Sequence, residues 1–216
     1  MRTAEDLALL LHDPDTGAPL VDSTSLPRAL AGAVVLQLVL DDRARLEERR
    51  WRTVMVIGDR SATGDHVLDL ALERLPAEPT PKAAIEKLQS RVRDPLLAGL
   101  VHDGSVRREE RTVLGMARSP RYPAADRRRR DAVVARLRSV LVDGAAPSTD
   151  DAALVALLRA VRAEHKVLDA PKRALRDRSK VIAEGEWAGE AVRRAIADVH
   201  AAVAAAASAG AVAAST

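Results

Sequence analysis

The 216-residue chain contains no Cys and no Phe, and its only aromatic residues are Trp51, Tyr122 and Trp187. Without Cys, disulfides, thiolate metal centres and cysteine nucleophiles are excluded together. So few aromatics cannot form a stacking platform for single-stranded nucleic acid. Long apolar runs are also missing. The longest, Ala33 to Leu36 and Leu38 to Leu40, is split by Gln37 and falls far short of the ~20 residues of a membrane span. An acidic start (Glu5, Asp6, Asp13, Asp15) around the short apolar stretch Leu7 to Leu11 does not read as a signal peptide. The expectation is a cytoplasmic chain. What is present is 47% hydrophobic residues and 30% charged ones, the balance of a folded soluble protein. This length supports one domain with a full core. A core of Leu, Val, Ala and Ile favours packed helices.

Periodicity places the elements. Thr3 is positioned to cap a helix over Glu5–Leu11, and Pro14, Gly17 and Pro19 make residues 13–19 a turn. Ser25 is the expected cap of a helix with Pro27 in its first turn, running to about Asp42. Ala29 to Leu40 is apolar nearly all round, so this helix is expected to be central and buried on every face. The β-branched stretch within Leu46–Ile57 reads as a strand pair or an extended arm. Helices follow from Asp65, over Lys82–Ser90, and from Pro95 to near Asp103–Gly104. Val106–Met116 reads as a β-hairpin with a charged tip at Arg107–Arg111, and Ser119–Ala125 as a loop. Asp126 and Ser148 start further helices, and the last strong helix puts Ala188, Ala191, Val192, Ala195, Ile196 and Val199 on one face. The fold class is therefore mainly α: one domain over residues 1–200, then an Ala-rich tail over 201–216.

Familiar catalytic signatures are lacking. Gly58 to Gly64 has the wrong spacing for a phosphate loop, and Asp65 follows where Lys is required. Among His12, His66, His102, His165 and His200, no two lie at i, i+4 and none has metalloprotease spacing. The acidic doublets Asp41–Asp42, Glu47–Glu48, Glu109–Glu110 and Asp150–Asp151 are sequence neighbours whose side chains diverge. No GxSxG elbow occurs. The expectation is a protein that is not an enzyme and uses no metal or cofactor.

Charge is unevenly distributed. Residues 1–90 carry net −4, residues 91–140 net +7, and residues 141–216 net zero. A positive centre attracts phosphates on lipid head groups or nucleic acid. Within it, Arg127 to Arg130 fall in the first turn of a helix, where the macrodipole opposes positive charge. Arg127 and Arg128 are thus candidates to face an anion, the alternative being a solvated turn eased by Asp126 and Asp131. Arg91 and Arg93 precede a helix start, a natural phosphate site. Their alternative is ordinary pairing with Asp94 or Glu86.

Three segments, taken together, resemble one family. They are Glu5 to Leu11 with the helix Ala29 to Leu40, Ala62 to Leu72, and Arg91 to Arg93 through Leu100 to Val106. In order and spacing, over residues 3–200, the chain resembles a bacterial, actinobacterial-type member of the Golgi phosphoprotein 3-like family. The resemblance implies a mostly helical domain with a buried central helix, ringing amphipathic helices and a projecting hairpin. It also implies a peripheral membrane protein that binds phosphatidylinositol 4-phosphate on a basic face and serves as an adaptor, not an enzyme. Laid over the family's lipid pocket, the Trp position falls at Asp22, the first Arg at Ala31, and the later Arg pair at Ser90 and Arg93. Arg28 and Arg91 are the neighbours placed to substitute. The family's hairpin is apolar near its tip, whereas Arg107–Arg111 reads here as a charged tip.

The leading expectation is a peripheral, anionic-lipid-binding protein on the inner membrane face. Its candidate head-group residues are Arg93, Arg91, Arg28, Arg127 and Arg128. The alternatives are a winged-helix-like nucleic-acid binder and a protein-interaction scaffold. The apolar stretch Pro95 to Val101 argues against the first, because it lacks base-reading side chains. No partner motif marks the second.

Overall fold

The computed structural model describes residues 3–113, 116–184 and 190–213. Helix α1 (Thr3–Leu10) leads through a turn into α2 (Ser25–Leu40), the centre of the molecule. Every residue of α2 from Ala29 to Leu38 is buried. Around it lie α1, α3 (His66–Arg74), α4 (Pro81–Leu88), α5 (Arg93–His102), α7 (Thr149–Ala160) and α10 (Glu190–Ala213). A helix apolar on all sides needs neighbours on all sides, and α2 has them. The crossing with α10 is especially close: a Cβ on Gly32 would lie 2.4 Å from Val203 Cγ2. The Ala-rich stretch after residue 200 continues α10 to Ala213, with Ala202, Val203 and Ala206 buried. Small side chains there let the two backbones approach.

Two antiparallel hairpins project from the helices. The expected strand pair is β1 (Ala44–Arg49) with β2 (Arg52–Ile57). The second hairpin corrects the sequence reading. Its strands are β3 (Glu109–Val113) and β4 (Met116–Arg121), and Val113 pairs with Met116. Arg107 and Arg108 therefore lie at the base, Arg111 lies inside β3, and the Arg107–Arg111 segment is not the tip. Leu114 and Gly115, between the paired ends, lie outside the described residues. The register is set by Val106, which is buried, donates its N–H to the Leu100 carbonyl at 3.1 Å and bridges to Ala124. Ser119 to Arg121, expected as loop, extend β4. Pro120 is tolerated there because the register shifts between Glu109 and Arg111, and at such an irregularity the missing N–H breaks no regular ladder.

Three caps also differ from expectation. Thr3 lies within α1 and donates its backbone N–H to Gln37 Oε1 at 3.2 Å. The start of α2 is held by Asp22 and not by the Ser25 side chain acting as cap. The Asp22 carboxylate accepts from Thr24 N (2.9 Å), Ser25 N (2.8 Å) and Ser25 Oγ (2.6 Å). Helix α6 (Arg128–Leu141) has no side-chain bond from its N-cap residue, Arg127, but Asp126 Oδ1 accepts from Arg128 N at 2.9 Å. Asp65 and Ser148 cap α3 and α7 as expected, Ser148 in a reciprocal capping box with Asp151.

Candidate functional site

The turn joining α4 to α5 is anchored by Val92, fully buried, whose N–H meets the Leu88 carbonyl at 3.2 Å. Burying Val92 leaves its neighbours outward: Arg91 is exposed, and Arg93 begins α5. The N-cap residue of α5 makes no side-chain bond to the helix start, and the positive end of the helix dipole there is offset in part by Asp94 in the first turn. Arg93 is pre-positioned. Its side chain is 26% exposed, it pairs with Asp94 Oδ1 at 3.4 Å, and its guanidinium carbon lies 5.9 Å from the centroid of the Tyr122 ring.

Tyr122 is held there by the 13–19 turn. Gly17 accepts the Tyr122 N–H on its carbonyl at 3.3 Å, and Pro14 accepts that of Ala124 at 2.9 Å. Gly17 has φ of +62°, and a Cβ there would stand 2.3 Å from the backbone nitrogens of Tyr122 and Pro123. Only glycine fits on both counts. Behind Tyr122 lies His12, edge-on at 6.2 Å and buried instead of at the surface. Its Nδ1 bonds the Ala8 carbonyl at 2.7 Å, and its Nε2 has no protein partner. Burial pushes its pKa below the ordinary value; the Ala8 contact opposes this, and the nearby Arg93 and Arg121 add to it. Arg93, Arg121, Tyr122 and His12 thus form one cluster.

The other expected residues are engaged elsewhere. Arg28 donates from Nε to Gln89 Oε1 at 3.1 Å and from Nη1 to the Ala206 carbonyl, tying α2 to α4 and α10. Arg127 pairs with Asp15, and Arg128 with Asp126 at 2.7 Å. Their neighbour Arg129 reaches Glu5 (2.6 Å), Asp6 (3.0 Å) and Asp103 (3.4 Å). The arginine run is therefore largely a clamp between α6, α1 and the loops, and Arg93 is the candidate residue that the structure places beside Tyr122 and His12, with Arg91 exposed two residues before it. Asp22, at the position the resemblance gives to Trp, fills the start of α2 with its own carboxylate. Partial burial works against its ionisation, but the bonds from Ser25 and Thr24 prevail and hold its pKa below the usual range.

One exposed residue was missed in the sequence. Trp51, at the turn of the β1–β2 hairpin, is 85% exposed. The Arg50 guanidinium carbon sits 5.1 Å from the centroid of its ring, and Arg52 follows it. The signal was the tetrapeptide Arg49-Arg50-Trp51-Arg52, a single aromatic within a basic turn. Among the described residues, no group of three His, Asp or Glu side chains could hold a metal, and no helix is long and apolar enough to cross a membrane. Arg93 and Arg121 give the surroundings of Tyr122 and His12 a positive field.

The family model described as Golgi phosphoprotein 3 (GPP34) matches residues 4–199 of the chain. Comparison with curated proteins gives no match.

Proposed function

The chain belongs to the Golgi phosphoprotein 3 family, and from that premise we propose that it is a peripheral protein that binds anionic phospholipid head groups. The observation that carries the reading is the register of β3 and β4. Pairing of Val113 with Met116 puts apolar residues at the far end of the hairpin, while Arg107 and Arg108 lie at its base. The distinction from the family's apolar tip, expected from the sequence, therefore disappears. Arg91 and Arg93, beside an uncapped helix start, are the head-group ligands in this reading, with a phosphatidylinositol 4-phosphate-like monoester as the preferred group. Trp51 between Arg50 and Arg52 supports it, since indole rings favour the membrane interface and basic residues favour anionic lipid. The surface of use is the inner membrane face, and the role of an adaptor for another protein belongs to the same proposal.

Vesicle flotation tests the proposal. The protein should float with vesicles containing phosphatidylinositol 4-phosphate, and less with phosphatidylcholine alone. Removing any exposed cation near the surface costs about 1 kcal/mol, whereas a positioned charge-assisted hydrogen bond is worth about 1.5–3 kcal/mol. Arg93→Ala should therefore weaken binding about tenfold or more. Arg74→Ala, an exposed residue at the end of α3, is the control. Equal losses for the two variants, or equal flotation with neutral vesicles, would refute the assignment.

A further inference from the structure

A second basic region lies away from Arg91 and Arg93. A cleft of about 730 Å³ opens where the end of α7, the short helix α8 (Glu164–Val167), the first turn of α9 (Lys172–Glu184), the last turns of α10 and the start of α2 meet. Arg159, Arg162, His165, Lys172, Arg176 and His200 line it. Two carboxylates also face it, and both are already bonded. Asp22 caps α2, as described, and buried Glu164 accepts from Ser179 Oγ at 3.1 Å.

The two carboxylates offset only half of the four permanent cations. Some arginines elsewhere are paired closely with carboxylates: Arg43 with Asp59 at 2.7 Å, Arg107 with Glu109 at 2.7 Å, and Arg136 with Asp151 at 2.8 Å. Among the described residues, Arg159, Arg162, Lys172 and Arg176 have no carboxylate within 4.0 Å. Arg159 donates instead to the Arg176 carbonyl (3.0 Å) and Ser179 Oγ (3.1 Å), which aims it across the cleft. The end of α7 carries about half a negative charge, too little to offset four cations. Arg162 stands in the left-handed region with φ of 53°, a helix-ending position that favours glycine. An arginine there is backbone-strained yet presents its charge at the cleft.

We propose that this cleft binds a small polyol or sugar bearing two or more phosphate groups. Four permanent cations against two carboxylates leave an excess of two positive charges, which calls for more than one negative charge on the ligand. The volume lies within the usual range of small-molecule sites, larger than one phosphate requires. The lining has no Trp, Tyr or Phe, so nothing favours a nucleobase by stacking. Both imidazoles sit below their ordinary pKa. Burial is the main cause at each; Lys172, Lys166 and Arg176 add to it at His165 and Arg159 at His200, while Glu164 opposes at both. A bound phosphate supplies the negative charge that lets them take up protons.

The required groups occur on soluble sugar phosphates and on inositol lipids, and the experiment separates the two. The full chain is titrated calorimetrically with fructose bisphosphate and with inositol hexakisphosphate. At least one should bind, and Lys172→Ala/Arg176→Ala, on the exposed first turn of α9, should weaken it at least tenfold. Arg74→Ala, an exposed cation at the end of α3 and outside both basic regions, should leave this binding unchanged, which separates a positioned contact from bulk charge. Arg162→Gly provides a variant that cannot be dismissed as misfolded, since glycine relieves the left-handed strain. It should melt no lower than the parent and still bind the probe several-fold more weakly. If the double variant also loses flotation with phosphatidylinositol phosphate vesicles, the source is a lipid head group; if flotation survives, it is a soluble phosphate. Absence of binding to both soluble probes, or undiminished binding by the double variant and by Arg162→Gly, would overturn the proposal.

Discussion

The contact between α2 and α10 permits a sharp test of how the core is built. Gly32 costs α2 about 1 kcal/mol relative to Ala through helix propensity, so on propensity alone Gly32→Ala would stabilise. The new Cβ would, however, sit 2.4 Å from Val203 Cγ2, 3.4 Å from Leu157 Cδ2 and 3.5 Å from Val199 Cγ1. The first distance is more than 1 Å too short, and a β-branched side chain in a helix cannot rotate away. Overpacking of this kind costs about 1–3 kcal/mol, so the single change should destabilise by about 0–2 kcal/mol. Val203→Ala removes two fully buried methyl groups and should cost about 2 kcal/mol. In that background the methyl added at position 32 enters vacated space, and only the propensity gain remains. Gly32→Ala should then stabilise by about 1 kcal/mol, a reversal of sign and a coupling of about 1–3 kcal/mol. Urea denaturation of the four proteins measures the cycle. An effect of Gly32→Ala that is the same in both backgrounds would refute the close packing of α10 on α2, and with it the placement of the α10 wall of the phosphate cleft.

Two further outcomes follow from the basic cluster and the first hairpin. His12 has a folded pKa below its ordinary 6.5, so the unfolded chain takes up its proton first; its contribution is complete above about pH 6.5 and is lost as the pH falls. The melting temperature should drop on acidification from pH 7 to pH 5, and His12→Gln should make that dependence shallower, with His200, also shifted down by burial, supplying part of the remaining slope; identical slopes would contradict the burial of His12. Trp51→Ala should leave the melting curve almost unchanged because the ring is 85% exposed, yet weaken vesicle binding, and in a Trp187→Phe background the Trp51 emission should shift to the blue with anionic vesicles; an unshifted spectrum would remove this hairpin from the membrane-binding surface.

The central helix was legible because its signal is local. Ala29 to Leu40 leaves almost no polar side to turn outward, and Gln37, the exception, is used internally: it accepts from Thr3 N and donates to Asp41 Oδ1 at 2.8 Å. The second hairpin was legible as a hairpin but not in register. The charged segment Arg107 to Arg111 looked like a turn, whereas the anchor that sets the strands is Val106, held by Leu100 and Ala124 from separate elements. The bridges made by the arginine run were not legible for the same reason. Its partners Asp15, Glu5, Asp6 and Asp103 lie far away in sequence, so a local charge count sees repulsion where the fold makes bridges.

The phosphate cleft is the opposite case, in which a local sum conceals a real field. Residues 141–216 balance to zero, and nothing in that total suggests an anion site. Helical geometry divides the charges by face. On α9, Lys172 and Arg176, one turn apart, line the cleft, while the next register pairs Arg173 with Asp177 at 3.8 Å on an exposed surface. Arg159 and Arg162 come to the same cleft from the end of α7, and Glu164 and Asp22, the acids that could have answered them, are bonded to Ser179 and to the start of α2. Net charge measures long-range attraction. A site depends on which charges converge without partners, and that is a property of faces and not of segments. The +7 of residues 91–140 therefore overstates the first basic region, where most of the Arg127–Arg130 run is bridged. The zero of residues 141–216 understates the second, where four cations face one opening.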